Sequence, residues 1–139
     1  MKQLKKCLSI RRRIQDIDER IKEYKYSAMS PKNQIITDMP RSHSSENGSD
    51  NYLLKVEKYE HKKELLLSEL NDTWNCILNT YKQNDVPKET IILIHYRFYC
   101  GNSWKKTCEY MQQRFPCSNW NENKCFRTLK KCTCYTSND

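Results

Sequence analysis

Glycine is the scarcest structural residue of this chain: Gly48 and Gly101 are the only two among 139 residues, beside four prolines. So little glycine leaves no glycine-rich phosphate loop and points to a helical, soluble chain. Long apolar runs are missing as well. No window approaches the run of about 20 apolar residues that a membrane span needs, and residues 1–13 lack the apolar stretch of a secretory signal. A cytoplasmic protein with no membrane partner is expected. Histidine is limited to His43, His61 and His95, and the sequence holds neither paired catalytic carboxylates nor a metal-ligand triad. His61 and His95 are the candidate bases for a Cys–His nucleophile, both at helical positions with charged or aromatic neighbours. His43 stands alone in a polar segment. No enzyme and no cofactor are expected.

Cysteine, by contrast, is plentiful, and Cys100, Cys108, Cys117, Cys125, Cys132 and Cys134 all fall in the last third. Without a secretory signal they are expected as reduced thiols. Structural zinc takes closely spaced cysteine pairs, whereas here only Cys132 and Cys134 are close, in a C-x-C; no metal site is expected. The net charge is +8 with a pI near 9.1. Lys and Arg outnumber Asp and Glu by nine to four over residues 1–25 and again over 88–139, but stand at five against seven over 50–87. Basic ends around a slightly acidic middle suit a nucleic-acid partner, since neutralising phosphates releases counterions. The plainer alternative is a solubilising surface.

Over residues 1–28, Cys7, Ile10, Ile14, Ile17, Ile21, Tyr24 and Ala28 recur at alternating spacings of three and four, the seam of a coiled coil. Lys5, Lys6, Arg11, Arg12 and Arg13 lie beside it and fit a solvated flank better than a phosphate-contacting arm. Residues 29–50, with two prolines, a glycine and many small polar residues, read as a linker. Over residues 51–83, Leu53, Val56, Leu67, Leu70, Trp74, Ile77 and Tyr81 keep a similar stripe, broken by Glu60 and Lys63. The two stripes suit either an antiparallel hairpin or a homodimer through the arm, and periodicity fits both. Residues 84–86 then make a turn.

The last third has another pattern. Pro87 suits a first helical position, and Ile91, Ile94 and Phe98, flanked by Ile92 and His95, form one apolar stripe before Gly101 supplies a left-handed stop. Phe98 and Tyr99 fit a core at this spacing better than a base-stacking platform. Ser103 can cap a helix from Trp104 to about Met111 whose inner face is Thr107, Cys108 and Met111. After a connection through Phe115 and Pro116, Asn121 can cap a third helix in which Cys125, Leu129 and Cys132 recur at helical spacing. Ser118 competes for that cap, because residues 112–120 are long for a turn. The opposite arc carries Asn123, Lys124, Arg127, Lys130 and Lys131, which offer cations for phosphates and residue types that read purine edges. Helix, glycine stop, helix, turn and basic helix make the sequence shape of a DNA-binding helix-turn-helix.

The run YRFYCGNSWKKTCEYM over residues 96–111, followed by NKCFRTLKK over 123–131, resembles the C-terminal helix-turn-helix of the RinA/ArpU-like phage transcriptional regulators. That module is itself similar to region four of bacterial sigma factors. In this resemblance Arg97, Phe98, Tyr99 and Gly101 match an arginine-tyrosine-x-x-glycine helix end. Trp104 matches a tryptophan after the cap, Cys108 the small residue of the scanning helix, and Cys125, Phe126 and Arg127 a recognition-helix segment. Met39-Pro40 with Ser49-Asp50 is similar to the linker before the central helix of such proteins. The resemblance implies a phage- or prophage-encoded activator of late genes in a bacterial host cell, with RNA polymerase as a partner that it allows.

The expected architecture is all-α: a long helical hairpin or coiled-coil arm over residues 1–86, a small three-helix helix-turn-helix module over 87–134 and a tail over 135–139. The expected function is sequence-specific binding of double-stranded DNA in transcription regulation. Asn123, Lys124 and Arg127 are the candidates for base edges, and Ser103, Lys105, Lys106, Lys130 and Lys131 for phosphates, with Asn121 completing the DNA-binding set. The alternative is a helical assembly or adaptor protein, such as a small terminase subunit or an RNA polymerase-binding factor.

Overall fold

The structure, a computed structural model, describes residues 1–29 and 44–136, with side chains over residues 1–27 and 53–132. Every regular element among them is helical: α1 (Lys2–Met29), α2 (Ser44–Gln83), α3 (Lys88–Ile94) running into a π-helical turn (His95–Tyr99), α4 (Trp104–Arg114), a 3-10 turn (Pro116–Ser118) and α5 (Glu122–Thr136). The all-α class expected from the sequence is what is found. Met39, Pro40, His43 and most of the expected linker lie outside the described residues, as do residues 137–139 of the expected tail and the side chains of Ala28 and Cys134. The helix expected from residue 51 instead begins at Ser44. Extending an established helix costs little per residue, and no proline interrupts this stretch. Among the described residues no helix is long and apolar enough to cross a membrane.

The chain divides into two compact units, Met1–Arg12 with Ser68–Asp139, and Arg13–Leu67. The expected division at residue 86 does not mark this boundary, because the start of α1 and the end of α2 from Ser68 belong with α3, α4 and α5. In that first unit Leu4, Cys7 and Ile10 of α1 are buried, as are Leu70, Trp74, Ile77 and Tyr81 of α2. Lys6 pairs with Glu69 at 3.1 Å. Burial pushes the Cys7 thiol up to about 11. Tyr81 is fully buried, close enough to Cys132 and Cys7 that both add to the upward push that burial gives its hydroxyl.

Among the described residues the second unit is built from α1 and α2. Ile14 and Ile21 are buried on α1 and Val56 on α2, while Asp18 meets Lys63 at 2.6 Å and Tyr24 stacks on Tyr59 at 5.8 Å. Partners on α2 descend in number as those on α1 rise, so the helices of this unit pair antiparallel within one chain. The gap in the α2 stripe is thus filled by Tyr59 and by the Lys63 ion pair, with Glu60 exposed. Leu53, expected in the seam, is 56% exposed, and the seam starts one turn later at Val56.

Helix α2 ends with Asp85 at φ 51, where the Val86 N–H donates to the Tyr81 carbonyl at 3.0 Å and the Asp85 N–H to that of Lys82 at 3.3 Å. These are the two bonds of a Schellman ending, here with aspartate in the left-handed position. Pro87 follows as the N-cap of α3, one residue ahead of the position expected for it, and its carbonyl accepts from the Ile91 N–H at 3.2 Å. The buried face of α3 is Thr90, Leu93 and Ile94, joined by Phe98 of the π turn, and Ile91 is only half-buried. Leu93 replaces Ile91 because it enters the cluster of Cys108, Met111, Trp120 and Cys125.

In the π turn the Cys100 N–H reaches back five residues to the His95 carbonyl at 3.1 Å, which leaves later carbonyls without the usual partners. Side chains take their place. Arg11 Nε donates to the Tyr99 carbonyl at 2.7 Å, with its guanidinium 5.3 Å from the centre of that ring. Arg97 donates to the Asn102 carbonyl at 2.8 Å, and Asn102 Nδ2 to the Tyr96 carbonyl at 3.2 Å. Arg11 is therefore no part of a solvated flank; an orphaned carbonyl holds it. Gly101 closes the segment at φ 75, as expected from the sequence. A β-carbon there meets the left-handed penalty, so Gly101→Ala should lower stability by about 1–2 kcal/mol. Urea denaturation checks this, and an unchanged midpoint would show that the stop does not need glycine.

Candidate nucleic-acid interface

Helix α4 is started by Ser103, whose Oγ accepts from the Lys106 N–H at 3.3 Å. Its carbonyl accepts both the Thr107 N–H at 2.9 Å and the Thr107 hydroxyl at 2.7 Å, so the fully buried Thr107 leaves no polar atom unmatched. Thr107, Cys108 and Met111 form the inner face as expected, and Lys105, Lys106, Glu109 and Gln113 are exposed. The helix runs to Arg114 rather than stopping near Met111. That shortens the connection to Phe115, the 3-10 turn, Asn119 at φ 46 and Trp120. Gln112 spans it: Oε1 accepts from the Trp120 N–H at 2.7 Å and Nε2 donates to the Pro116 carbonyl at 3.4 Å.

Asn121 is the cap of α5. Its Oδ1 accepts from the Lys124 N–H at 2.8 Å and its carbonyl from the Cys125 N–H at 3.0 Å, while Ser118 ends the 3-10 turn. The competition between the two caps is settled, and with it the register. Cys125, Leu129 and Cys132 are buried as expected. Cys108 and Cys125 bring their sulfur atoms to 3.1 Å. Burial pushes the Cys125 thiol up to about 12, and the hydrogen bond to Cys108 acts in the same direction.

With this register the first two turns of α5 expose Glu122, Asn123, Phe126 and Arg127, and the next turn exposes Lys130 and Lys131. Asn123 and Arg127, two of the candidates for base edges, are therefore exposed. Lys124, the third, is not. It is half-buried, its ammonium bonded to the Ser118 carbonyl and 4.5 Å from the centre of the Trp120 ring, which draws it back onto the preceding loop. Ser103 and Asn121 act as caps, leaving Lys105 and Lys106 as the exposed cations at the start of α4. That start adjoins the second turn of α5, because the rings of Trp104 and Phe126 are 4.7 Å apart. Glu122 and Phe126 also belong to the exposed arc, although hydropathy patterning does not single them out. The Asn121 cap, once fixed, finds both by helical spacing alone.

The Cys–His candidate brings Cys100 Sγ to 3.9 Å from His95 Nδ1. Burial lowers the imidazole pKa, with the Arg11 charge adding to it, and burial raises that of the Cys100 thiol. Both shifts favour a neutral pair, with His95 stacked on Tyr99 at 4.7 Å and edge-on to Trp74 at 5.1 Å. Among the described residues no three of His, Cys, Asp or Glu gather as metal ligands. Comparison with family models, with curated proteins and with solved structures finds no match to this chain.

Two outcomes follow from this geometry. Asn121→Ala should cost about 1 kcal/mol through loss of the α5 cap, while Ser118→Ala should leave the urea midpoint nearly unchanged; the reverse order would assign the cap to Ser118. Because burial lowers the His95 pKa in the fold, the unfolded chain binds that proton more readily, so stability is present above the ordinary histidine value of 6.5 and declines as pH falls through it. Urea midpoints at about pH 7.5 and pH 5.5 should show that decline in the native chain and less of it in His95→Gln.

Proposed function

We propose that this protein is a sequence-specific DNA-binding transcriptional regulator in which α5 enters the major groove. The observation that carries the reading is the exposed arc Asn123, Arg127, Lys130 and Lys131 on a helix held by Cys125, Leu129 and Cys132 against its neighbours. Asparagine suits adenine and arginine suits guanine in the major groove, while Lys105, Lys106, Lys130 and Lys131 address phosphates and set the register. The resemblance to RinA/ArpU-like regulators adds a phage or prophage origin, activation of late genes, the cytoplasm of a bacterial host as the place of action and RNA polymerase as a second partner. A helical assembly or adaptor role, of the kind a small terminase subunit or a polymerase-binding factor plays, is the second reading. It is favoured by the exposure of Leu53, Leu54 and Leu65 on the second unit, apolar surface that a second copy could cover in a homodimer.

Fluorescence anisotropy tests the first reading, with a random-sequence duplex set against upstream fragments of the encoding genome at two salt concentrations. A preferred fragment should bind about a thousandfold or more above random DNA. Arg127→Ala should then cost about 1–3 kcal/mol and relax specificity at one position, while Lys131→Ala should weaken all sequences alike and reduce the salt slope by about 1. Equal binding of every duplex would reduce the basic surface to phosphate neutralisation, and no binding would favour the assembly role.

A further inference from the structure

Among the described residues Phe126 is one of the few large apolar side chains left exposed, at 41%. It lies in the second turn of α5, next to Arg127 and three residues after Asn123. The ring is not loose. It packs on Trp104 with centroids 4.7 Å apart at an interplanar angle of 47°. Trp104 in turn meets Phe98 edge-on at 6.2 Å and carries the Arg97 guanidinium at 5.0 Å, and Arg97 is tied to the Asn102 carbonyl. An aromatic ring is thus braced at the rim of an arc otherwise made of amide, carboxylate and cations. The major groove presents one large apolar feature, the 5-methyl group of thymine, and apolar side chains are what meets it.

We propose that Phe126 reads a thymine methyl group beside the base addressed by Arg127, which makes thymine at that step part of the preferred DNA. The inference rests on DNA reading by α5 and adds a base class that hydrogen-bonding residues alone cannot supply. Uracil lacks only that methyl, so a thymine-to-uracil exchange isolates the contact while every hydrogen-bonding edge stays the same. Burying one methyl group is worth about fourfold in affinity.

The test begins by selecting duplexes from a random library with the full chain, then replacing each thymine in turn by uracil. At one position uracil should weaken the native chain about fourfold, and Phe126→Ala should bind both duplexes equally, near the level of the native chain on uracil. Should Phe126→Ala lose helix content by circular dichroism, Phe126→Gln serves in its place. That variant keeps a long side chain of good helix propensity but sets an amide where the ring would meet the methyl, and the same loss of thymine preference is expected. A native chain indifferent to uracil at every position, or a folded variant that keeps the preference, overturns the assignment of Phe126 alone. A library from which no sequence emerges overturns DNA reading by α5, and this inference with it.

Discussion

Two sulfur atoms 3.1 Å apart set how closely α4 approaches α5. Cys108 and Cys125 are small enough to let the helices meet there, while Thr107 beside them turns its hydroxyl back onto Ser103 and so enters the core without a stranded polar atom. Interiors are packed too tightly to absorb added volume without movement. A larger side chain at either cysteine would therefore rotate or lift α5, and with it the exposed arc of Asn123, Phe126 and Arg127. The bases that such an arc could reach are decided on its buried side.

The basic residues sort into two kinds that net charge does not distinguish. Arg11, Arg97 and Lys124 are engaged by backbone carbonyls and aromatic rings, where they stabilise the π turn and the loop before α5. Arginine suits the first two sites, since its guanidinium is planar, weakly hydrated and able to lie against a ring while donating sideways. Lys105, Lys106, Arg127 and Lys131 are exposed and form the surface that phosphates and bases could meet. The positive charge left exposed is thus smaller than the sum over the chain.

What could be read in advance follows from how local each cause is. Cys7, Ile10, Ile14 and Ile21 of the α1 seam, the inner faces of α4 and α5, the Ser103 and Asn121 caps and the Gly101 stop all depend on spacing within one turn or on one residue's backbone preference, and each is found where helical periodicity puts it. Leu93 in place of Ile91, Arg11 on a distant carbonyl and Lys124 on Trp120 depend on which helix packs against which. Periodicity holds no such information. The early start of α2 is a third case, since polar residues with little intrinsic preference extend a helix begun elsewhere. At the candidate interface the exposed arc is legible once the cap is known, but the withdrawal of Lys124 and the bracing of Phe126 need the neighbouring tryptophans in place.

The π turn also bears on where the chain can take a change of length. Its five-residue bond from Cys100 to His95 holds one residue more than an α-helical turn would, the state that a single insertion into an α-helix leaves behind. Removing one residue from it would return the turn to α-helical bonding and take away the freed carbonyl that Arg11 holds. Residues 116–119, by contrast, form a surface connection whose ends Gln112 already ties together, and such connections accept added residues readily. A change of length in the loop before α5 would therefore disturb the fold less than one between His95 and Gly101.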